Sequence, residues 1–433
     1  MNISLASPHA AARNQSQQRP FAFHGPEGSC IAQGPTTAVR RGTRETLESR
    51  INEAFATLPD PRRVSAQGRP SRGVIGGALP FDIDAQDCLW LAPQSIALPP
   101  NQDSPWPAPP AKNTATPINR TAPAHVAPEP PARDYARAVE QTLEIMRAQA
   151  DLPDGLRKIV LARSLQISAT TLFDRSVVLA RLASDPAATA FETRLPDAQT
   201  DLLGDLRAGT LRDPRFLIGG TPELLIQKTG HAIFSHPLAG SARRDDDPAR
   251  DQANAVALLA SEKDRREHGL VVEYILDTLA PECLSLRCPQ GIAITRTRSM
   301  WHLGTRIEGV LRDPDQPAVL LAAKLHPTPA VCGTPHDRAA ALIHTLEPND
   351  RGFYAGTVGW TDRSGDGAWY VAIRSAEICG AQARLYAGAG IVAGSDPMAE
   401  AVETGAKFGA MLAALDLPLT TGMIGLPFTN LKD

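Results

Sequence analysis

The sequence has little of several features that define common classes of protein. Aromatic residues make up only 5% of the 433-residue chain, and 44 basic side chains nearly balance 47 acidic ones, for a formal net charge of −3. Nucleic-acid surfaces need basic and stacking side chains, and acidic membrane surfaces attract basic ones. No apolar run approaches the length of a membrane-spanning helix. We therefore expect neither a nucleic-acid partner nor a membrane partner.

Cysteine is scarce as well, and its spacing excludes two kinds of site. The six cysteines include no CxxC pair, so the sequence predicts neither a zinc knuckle nor a disulfide framework. The first 20 residues lack the apolar segment of a signal peptide. We also find no internal repeat, no Walker loop and no dinucleotide fingerprint. These absences favour a reduced, cytoplasmic protein that does not bind nucleotides.

The most informative stretch lies towards the C-terminal end of the chain. The alternating segment 370–374 predicts a strand that places Arg374 on the same face as Tyr370. After a return strand, Gly388 and Gly390 predict a turn whose backbone N–H groups can approach an anion closely. This stretch therefore predicts a site for a negatively charged group.

An acidic helix follows that turn. Asp396 and Pro397 are typical of the N-cap and the first helical position. Glu400, Glu403 and Lys407 then recur at spacings of three and four, which places them on one face. Two carboxylates and an ammonium group beside an arginine suit a metal ion and a substrate with several carboxylates. The alternative is a solvated helix face with ordinary ion pairs.

Three ionisable residues occur in apolar surroundings further upstream. Lys158 begins the apolar strand 158–162, where burial would favour the amine form that acts as a base; alternatively its side chain extends to water. Glu223 stands between two short strands, either as a general acid or as a surface residue. Glu267 falls on the inward stripe of a helix predicted over 253–274, and a buried carboxylate needs a cation or a metal ion.

Two further segments carry candidate binding residues. The segment 237–241 predicts a loop before a pair of arginines, and His302 is the single imidazole of an apolar strand. A histidine in that setting either contacts a substrate or satisfies a hydrogen bond of the core. The sequence leaves both possibilities open.

Taken in order, these motifs resemble one family, the chorismate-utilising enzymes related to anthranilate synthase component I, and within it the isochorismate synthases. Each motif is weak alone, but the ordered set is specific and spans most of 135–415. The matching segments are KIVLAR (158–163), GTPELL (220–225), PLAGSARR (237–244), SEKDRREH (261–268), WHL (301–303), LHPTPA (325–330), AGAGIV (387–392) and ET (403–404).

The resemblance implies an α+β fold, a single large αββα sandwich domain with mainly antiparallel sheets and outer helices. The predicted divisions are a disordered lead-in (1–20), an N-terminal part of the chorismate-binding domain (21–98), a proline-rich connector (99–134), the catalytic core (135–418) and a C-terminal tail (419–433). Prolines crowd the connector, so we expect it to be extended, within one domain, with neither a helix nor a central strand.

The resemblance also implies a role for each candidate residue. Lys158 would activate water for attack at C2 of chorismate, and Glu223 would protonate the departing C4 hydroxyl. Glu267 and Glu403 would hold Mg²⁺, with Glu400 nearby or bound through a water molecule. Arg374 would bind the enolpyruvyl carboxylate, and Gly388, Gly390 and Lys407 would lie near the ring carboxylate. The implied substrate-binding residues are Leu238, Ala239, Gly240, His302, Arg374, Gly388, Gly390 and Lys407.

Several related activities remain as alternatives. Salicylate synthase, which makes isochorismate and then eliminates pyruvate, is the nearest; Leu238 and Gly304 favour isochorismate synthase, whereas Tyr354 departs from its pattern. Lys158 argues against anthranilate synthase, and the 237–241 segment argues against aminodeoxychorismate synthase. A non-catalytic relative is the remaining alternative. We expect a monomer that binds chorismate without an amidotransferase subunit and supplies siderophore, salicylate or dihydroxybenzoate biosynthesis.

Overall fold

The architecture is built from antiparallel strands with helices on the outside. The structure is a computed structural model that describes residues 19–59, 73–100, 104–106, 123–196 and 213–426. The strands, in chain order, are β1 (Phe21–Gly25), β2 (Gly28–Gln33), β3 (Thr37–Ala38), β4 (Val74–Leu79), β5 (Cys88–Ala92), β6 (Gln94–Leu98), β7 (Pro123–Glu129), β8 (Lys158–Ala169), β9 (Thr189–Arg194), β10 (Arg215–Thr221), β11 (Leu224–Thr229), β12 (Ala232–His236), β13 (Leu238–Arg243), β14 (Cys283–Arg287), β15 (Ile292–Arg296), β16 (Met300–Thr305), β17 (Ile307–Leu311), β18 (Gly333–Thr334), β19 (Thr357–Asp362), β20 (Gly367–Val371), β21 (Ser375–Cys379) and β22 (Gln382–Val392).

The helices connect these strands and cover their outer faces. The α-helices are α1 (Leu47–Ala56), α2 (Ala132–Ala148), α3 (Arg175–Leu182), α4 (Pro248–Ala260), α5 (Glu262–Leu279), α6 (Ala318–Leu325), α7 (His336–Leu346), α8 (Pro397–Lys407) and α9 (Gly409–Ala414). Short 3-10 helices occupy Arg44–Thr46, Ala280–Glu282 and Leu419–Met423. None of the helices in the described ranges is long and apolar enough to span a bilayer.

The strands form two large sheets and one small one, and every described pair is antiparallel. The ten-stranded sheet has the order β18-β8-β22-β21-β10-β9-β1-β2-β6, with β7 also paired to β8. The nine-stranded sheet has the order β14-β17-β12-β11-β20-β19-β4-β5-β3, and β13-β16-β15 form the small sheet. Strands from before and after the proline-rich connector join both large sheets, so both halves of the chain build one core.

An apolar layer between the two large sheets holds the sandwich together. Phe21, Phe191 and Leu217 from the ten-stranded sheet pack with Val358 and Tyr370 from the nine-stranded sheet in one buried cluster. Each fully buried large apolar side chain contributes about 1.5–3 kcal/mol. Helix α6 packs on β11, β19 and β20, and α3 and α9 pack on the ten-stranded sheet. The predicted α+β class with antiparallel sheets and outer helices is confirmed.

Two segments predicted as connections are instead strands, and those predictions are wrong. Residues 238–241 of the segment 237–241 belong to β13, which pairs with β16. Gly388 and Gly390 lie inside β22, which pairs with β8 residue by residue. The end of the connector forms β7, an edge strand on β8, which is extended and is not a central strand. Prolines are tolerated at an edge because one side of the strand has no ladder partner.

The helix predicted over 253–274 is also wrong as a single element. It divides at Ser261, whose extended backbone ends α4 and whose hydroxyl accepts the N–H of Asp264 as the N-cap of α5. Val256, which is on the predicted inward stripe before the break, is 57% exposed. Glu267 lies after the break and is buried as predicted.

Candidate active site

Lys158 is the first residue of β8 and lies between β18 and β22. Its side chain has no exposed surface, so the alternative in which it extends to water is wrong. Its Nζ lies 2.9 Å from Oε1 of Glu267, on helix α5. The buried ammonium group is thus neutralised by a carboxylate from a different element, as a charge in a low-dielectric setting requires.

Glu223 lies in the two-residue break between β10 and β11, and it is only 3% exposed. The alternative of a surface glutamate is therefore wrong. Burial raises the pKa of Glu223 to about 8, although the N–H of Leu238 and the charges of Lys158 and Lys407 act in the opposite direction. The carboxyl group therefore holds its proton at neutral pH, which is the state that a general acid needs.

Three carboxylates face the same cavity, and each pairs with a different lysine. Glu267 pairs with Lys158, Glu400 with Lys263 at 3.1 Å, and Glu403 with Lys407 at 2.7 Å. Burial and the neighbouring Glu403 raise the pKa of Glu400. Burial also acts to raise the pKa of Glu403, but Lys407 and a hydrogen bond from Ser241 hold it below its usual value. Glu400 is buried, so the picture of a wholly solvated helix face is wrong.

These carboxylates are the residues that fit a metal ion. In the described part of the chain, no three acidic, histidine or cysteine side chains are grouped as a ready metal site. Carboxylate oxygens are nevertheless the donors that Mg²⁺ prefers. Helix α5 supplies Glu267, and α8 supplies Glu400 and Glu403 from its one inward face. The donor chemistry fits Mg²⁺, provided that the lysines give up their present partners.

Arg374 is held outside any strand. Strand β20 ends at Val371, so the strand predicted over 370–374 is wrong, and Arg374 adopts φ +52° in the link to β21. That conformation is unfavourable for a side chain with a Cβ. Within the described residues the buried guanidinium makes no hydrogen bond or ion pair, and it lines the cavity. An unpaired guanidinium in a strained backbone is suited to bind an anion.

The two glycines of β22 make room for side chains instead of forming a turn. A Cβ on Gly390 would lie 2.3 Å from Oε1 of Glu267. A Cβ on Gly388 would lie 3.1 Å from the hydroxyl of Tyr354. The carbonyl of Gly388 also accepts a hydrogen bond of 2.9 Å from Nζ of Lys407. The glycines therefore allow the carboxylate and the cations to approach the strand.

Strands β13 and β16 form a further wall. The ladder between them is irregular at Gly240, which has φ +78° and lies against Asp264 of helix α5. His302 of β16 is buried, and its Nε2 makes no hydrogen bond within the described residues. Burial, with the charges of Arg374 and Lys407, holds the pKa of His302 well below its usual value. The imidazole is therefore neutral at pH 7.

The predicted residues come from distant parts of the chain and lie around one cavity. All of them line it except Lys158, which reaches it through its contact with Glu267: Glu223, Leu238, Ala239, Gly240, Glu267, His302, Arg374, Gly388, Gly390, Glu400, Glu403 and Lys407. The prediction missed Ser241, Lys263, Asp264 and Tyr386, which also line the cavity. Lys263 falls on the predicted stripe four residues before Glu267, and that spacing could have identified it.

Comparisons with known proteins give a consistent picture. A family model described as chorismate binding enzyme matches residues 208–416. The isochorismate synthase DhbC of Bacillus subtilis (strain 168) is 39% identical over 380 residues, which cover 86% of each chain. A crystal structure of DhbC from Bacillus anthracis, provisionally described as a 2,3-dihydroxybenzoate-specific isochorismate synthase, matches with a TM-score of 0.78 at 34% identity over 93% of this chain and 97% of that chain. Anthranilate synthase component I from Streptococcus pneumoniae TIGR4 matches with a TM-score of 0.62 at 19% identity, over 95% of this chain and 94% of that chain, and so shares the fold.

Proposed function

Because the chain belongs to the chorismate-binding enzyme family, we propose that it is an isochorismate synthase. The family predicted from the ordered motifs is confirmed by a relative that is 39% identical over most of both chains. The enzyme is an isomerase that adds water at C2 of chorismate while the hydroxyl at C4 departs. The observation that carries this function is that one cavity holds a buried carboxyl group, Glu223, that stays protonated at neutral pH, and is reached by a buried lysine, Lys158, through its ion pair with Glu267.

The proposed proton transfers assign one role to each of these two groups. Lys158 takes a proton from the water that attacks C2, once its ammonium form has given up a proton and its pairing with Glu267. Glu223 gives its proton to the C4 oxygen, so the leaving group is water and not hydroxide. One water enters and one leaves, and the proton gained by Lys158 returns to Glu223 through solvent before the next cycle. The raised pKa of Glu223 supports its role as the donor.

The proposed substrate contacts are made by the cations of the cavity. Arg374 pairs with the enolpyruvyl carboxylate, since its buried guanidinium lacks a partner in the described residues. Lys407 lies at Gly388 and approaches the ring carboxylate from the β22 side. Neutral His302 offers Nε2 for a hydrogen bond to a hydroxyl of the substrate. Leu238, Ala239 and Gly240 close the remaining wall.

We further propose that Glu267 and Glu403 hold Mg²⁺, with Glu400 beside them or bound through water. When bound, the ion neutralises the ring carboxylate next to C2, which otherwise repels a nucleophile. The protein itself orients the carboxylates: Ser241 donates to Glu403 at 3.0 Å, and Lys263 holds Glu400. Lys158 pairs with Glu267, and Lys407 pairs with Glu403.

The cellular setting stays a proposal. The enzyme would act as a cytoplasmic monomer without an amidotransferase subunit, because the proposed nucleophile is water and not ammonia. A role in 2,3-dihydroxybenzoate biosynthesis is suggested by the description of the Bacillus anthracis DhbC structure. All six cysteines lie in the described ranges and none of them forms a disulfide there, which supports a reduced compartment.

The test is to incubate the pure protein with chorismate and Mg²⁺, without an ammonia source, and to resolve the products by chromatography with mass detection. Isochorismate as the product is the expected result. Salicylate with pyruvate would assign the enzyme to the salicylate synthases instead. Unreacted chorismate would overturn the proposed function and favour an amidotransferase-dependent or non-catalytic relative.

A further inference from the structure

One strand of the active site has a gap in its hydrogen-bonded ladder. Along one edge, β8 pairs with β18 at Lys158 and Ile159, and with β7 from Ser164 onwards. No strand among the described residues pairs with the intervening residues 160–163 on that edge. Backbone N–H and C=O groups that are buried without a partner cost free energy, so the gap must be filled in another way.

In this gap the N–H of Val160 donates to the carbonyl of Cys332 at 2.8 Å, and two side chains bind further backbone groups. The N–H of Ala162 donates to Oε1 of Glu347 at 2.8 Å, and the carbonyl of Val160 accepts from Nη2 of Arg351 at 2.6 Å. Arg351 and Glu347 also bind each other, with Nε donating to Oε2 at 2.8 Å. Both side chains are less than one-tenth exposed. The ion pair therefore satisfies two backbone groups of β8 that would otherwise need a neighbouring strand.

The same guanidinium contacts a second segment of the cavity wall, since its Nη1 donates to the carbonyl of Val331 at 2.8 Å. The backbone carbonyl of Arg351 also accepts the N–H of Tyr354 at 2.9 Å, in a turn within its own segment. Val160, Val331 and Tyr354 all line the proposed active-site cavity. The Arg351 guanidinium thus joins two wall residues from two separate segments, Val160 and Val331, without itself lining the cavity.

We propose that Arg351 and Glu347 are positioning residues, which hold the β8 strand and the adjoining wall in register for turnover. The inference deepens the proposed function, because it assigns a role in the chorismate reaction to an ion pair outside the cavity. A planar guanidinium can bind a carboxylate and two carbonyls at once in a fixed geometry, whereas an ammonium group cannot. Small displacements of a reacting group reduce the rate strongly.

The molecule contains a matched control for this pair. Arg50 is also fully buried and binds the carboxylate of Asp87 together with two carbonyls, those of Arg40 and Thr43. None of these four residues lines the cavity. A lysine at position 50 therefore removes the same kind of contact as a lysine at position 351, but far from the proposed reaction.

The experiment compares Arg351→Lys with Arg50→Lys in the full chain. The melting temperature, kcat and KM for chorismate are measured at a temperature at which both variants are folded. We expect the melting temperature of both variants to be lower than that of the wild type. We expect kcat/KM to fall by about tenfold or more only in Arg351→Lys. Wild-type kcat/KM in Arg351→Lys, or equal losses in the two variants, would overturn the proposal.

Two further measurements keep the proposal testable. If Arg351→Lys does not fold, Glu347→Gln is tested in its place. This variant keeps an acceptor for the Ala162 N–H but loses the negative charge that pairs with Arg351, and we expect the same loss of kcat/KM. Amide hydrogen exchange at Ala162 should be faster in Arg351→Lys than in Arg50→Lys. The exchange measurement does not depend on turnover, so the two proposals can fail separately. Chorismate left unchanged by the wild type would refute the proposed function. Exchange at Ala162 that is the same in both variants would refute the positioning role.

Discussion

Nζ of Lys158 lies 2.9 Å from Oε1 of Glu267, and the lysine side chain has no exposed surface. The proposed base and a proposed metal ligand therefore share one ion pair, which joins strand β8 to helix α5. Removing either partner leaves the other charge buried and unpaired, at a cost of about 3–5 kcal/mol. Each test of this pair must therefore separate lost stability from lost chemistry.

Lys158→Ala should abolish isochorismate formation while chorismate still binds. Loss of a positioned base lowers a rate by about 10²–10⁴-fold. The matched control is Lys228→Ala, because Lys228 is equally buried but pairs with Asp366 at 2.9 Å, away from the cavity. Turnover is measured by product chromatography, and binding by calorimetry. Equal turnover in the two variants would exclude Lys158 as the base.

The value of kcat/KM should fall as the pH rises through about 8. Glu223 must be protonated to donate its proton, and its acid form disappears above its pKa of about 8. Glu223→Gln should lose about 10²–10⁴-fold in rate and show no decline centred near pH 8. Glu27→Gln is the control, since Glu27 is another glutamate whose pKa is raised by burial but lies outside the cavity. A decline that persists in Glu223→Gln would assign it to another group.

Glu267→Gln should weaken Mg²⁺ binding, because an amide oxygen carries no net charge to offset that of the cation. We expect the half-saturating Mg²⁺ concentration to rise by about tenfold or more. Glu273→Gln, on the exposed side of the same helix, should leave it unchanged. Mg²⁺ titrations are followed both by turnover and by calorimetry of the metal alone. A titration that matches wild type in Glu267→Gln would remove this residue from the site.

Arg374→Gly should raise KM for chorismate while leaving the protein as stable as wild type or more so. Glycine relieves the φ of +52°, a strain that costs about 1–3 kcal/mol, and removes a buried guanidinium without a partner among the described residues. Asp416→Gly relieves a similar φ of +64° outside the cavity and should leave KM unchanged. Thermal melting and steady-state kinetics check both variants. A marked loss of stability in Arg374→Gly would show that this arginine supports the fold.

Local sequence patterns predicted individual helices well where apolar residues recur at helical spacing or where capping residues mark the first turn. Leu47, Ile51 and Phe55 recur every four residues, a spacing that is typical of a helix, and all three are buried in helix α1. Asp396 and Pro397 begin α8 as their capping chemistry predicts. These features depend on contacts within one or two turns, so neighbouring residues contain the information.

Predictions failed where a distant partner decides the local structure. Gly388 and Gly390 are residues typical of a turn, but they lie in a central strand because they pair with β8. The close approach of Glu267 also requires a glycine at position 390. Ser241 has the composition of a loop, but β16 pairs with its strand and Glu403 accepts its hydroxyl. Neither partner is near in sequence, so no local pattern could identify it.

The sequence by itself determined the residue types, the caps and the ordered motifs, and from these the family and the candidate residues. Only the tertiary structure decided which charged side chains form ion pairs with each other. Lys158 and Glu267 are 109 positions apart, and their pairing depends on how the β8 edge and helix α5 pack. The raised pKa of Glu223 likewise results from the enclosure of its carboxyl by segments remote in the chain. Electrostatic interactions depend on distance and burial in three dimensions, which the linear order of residues does not contain.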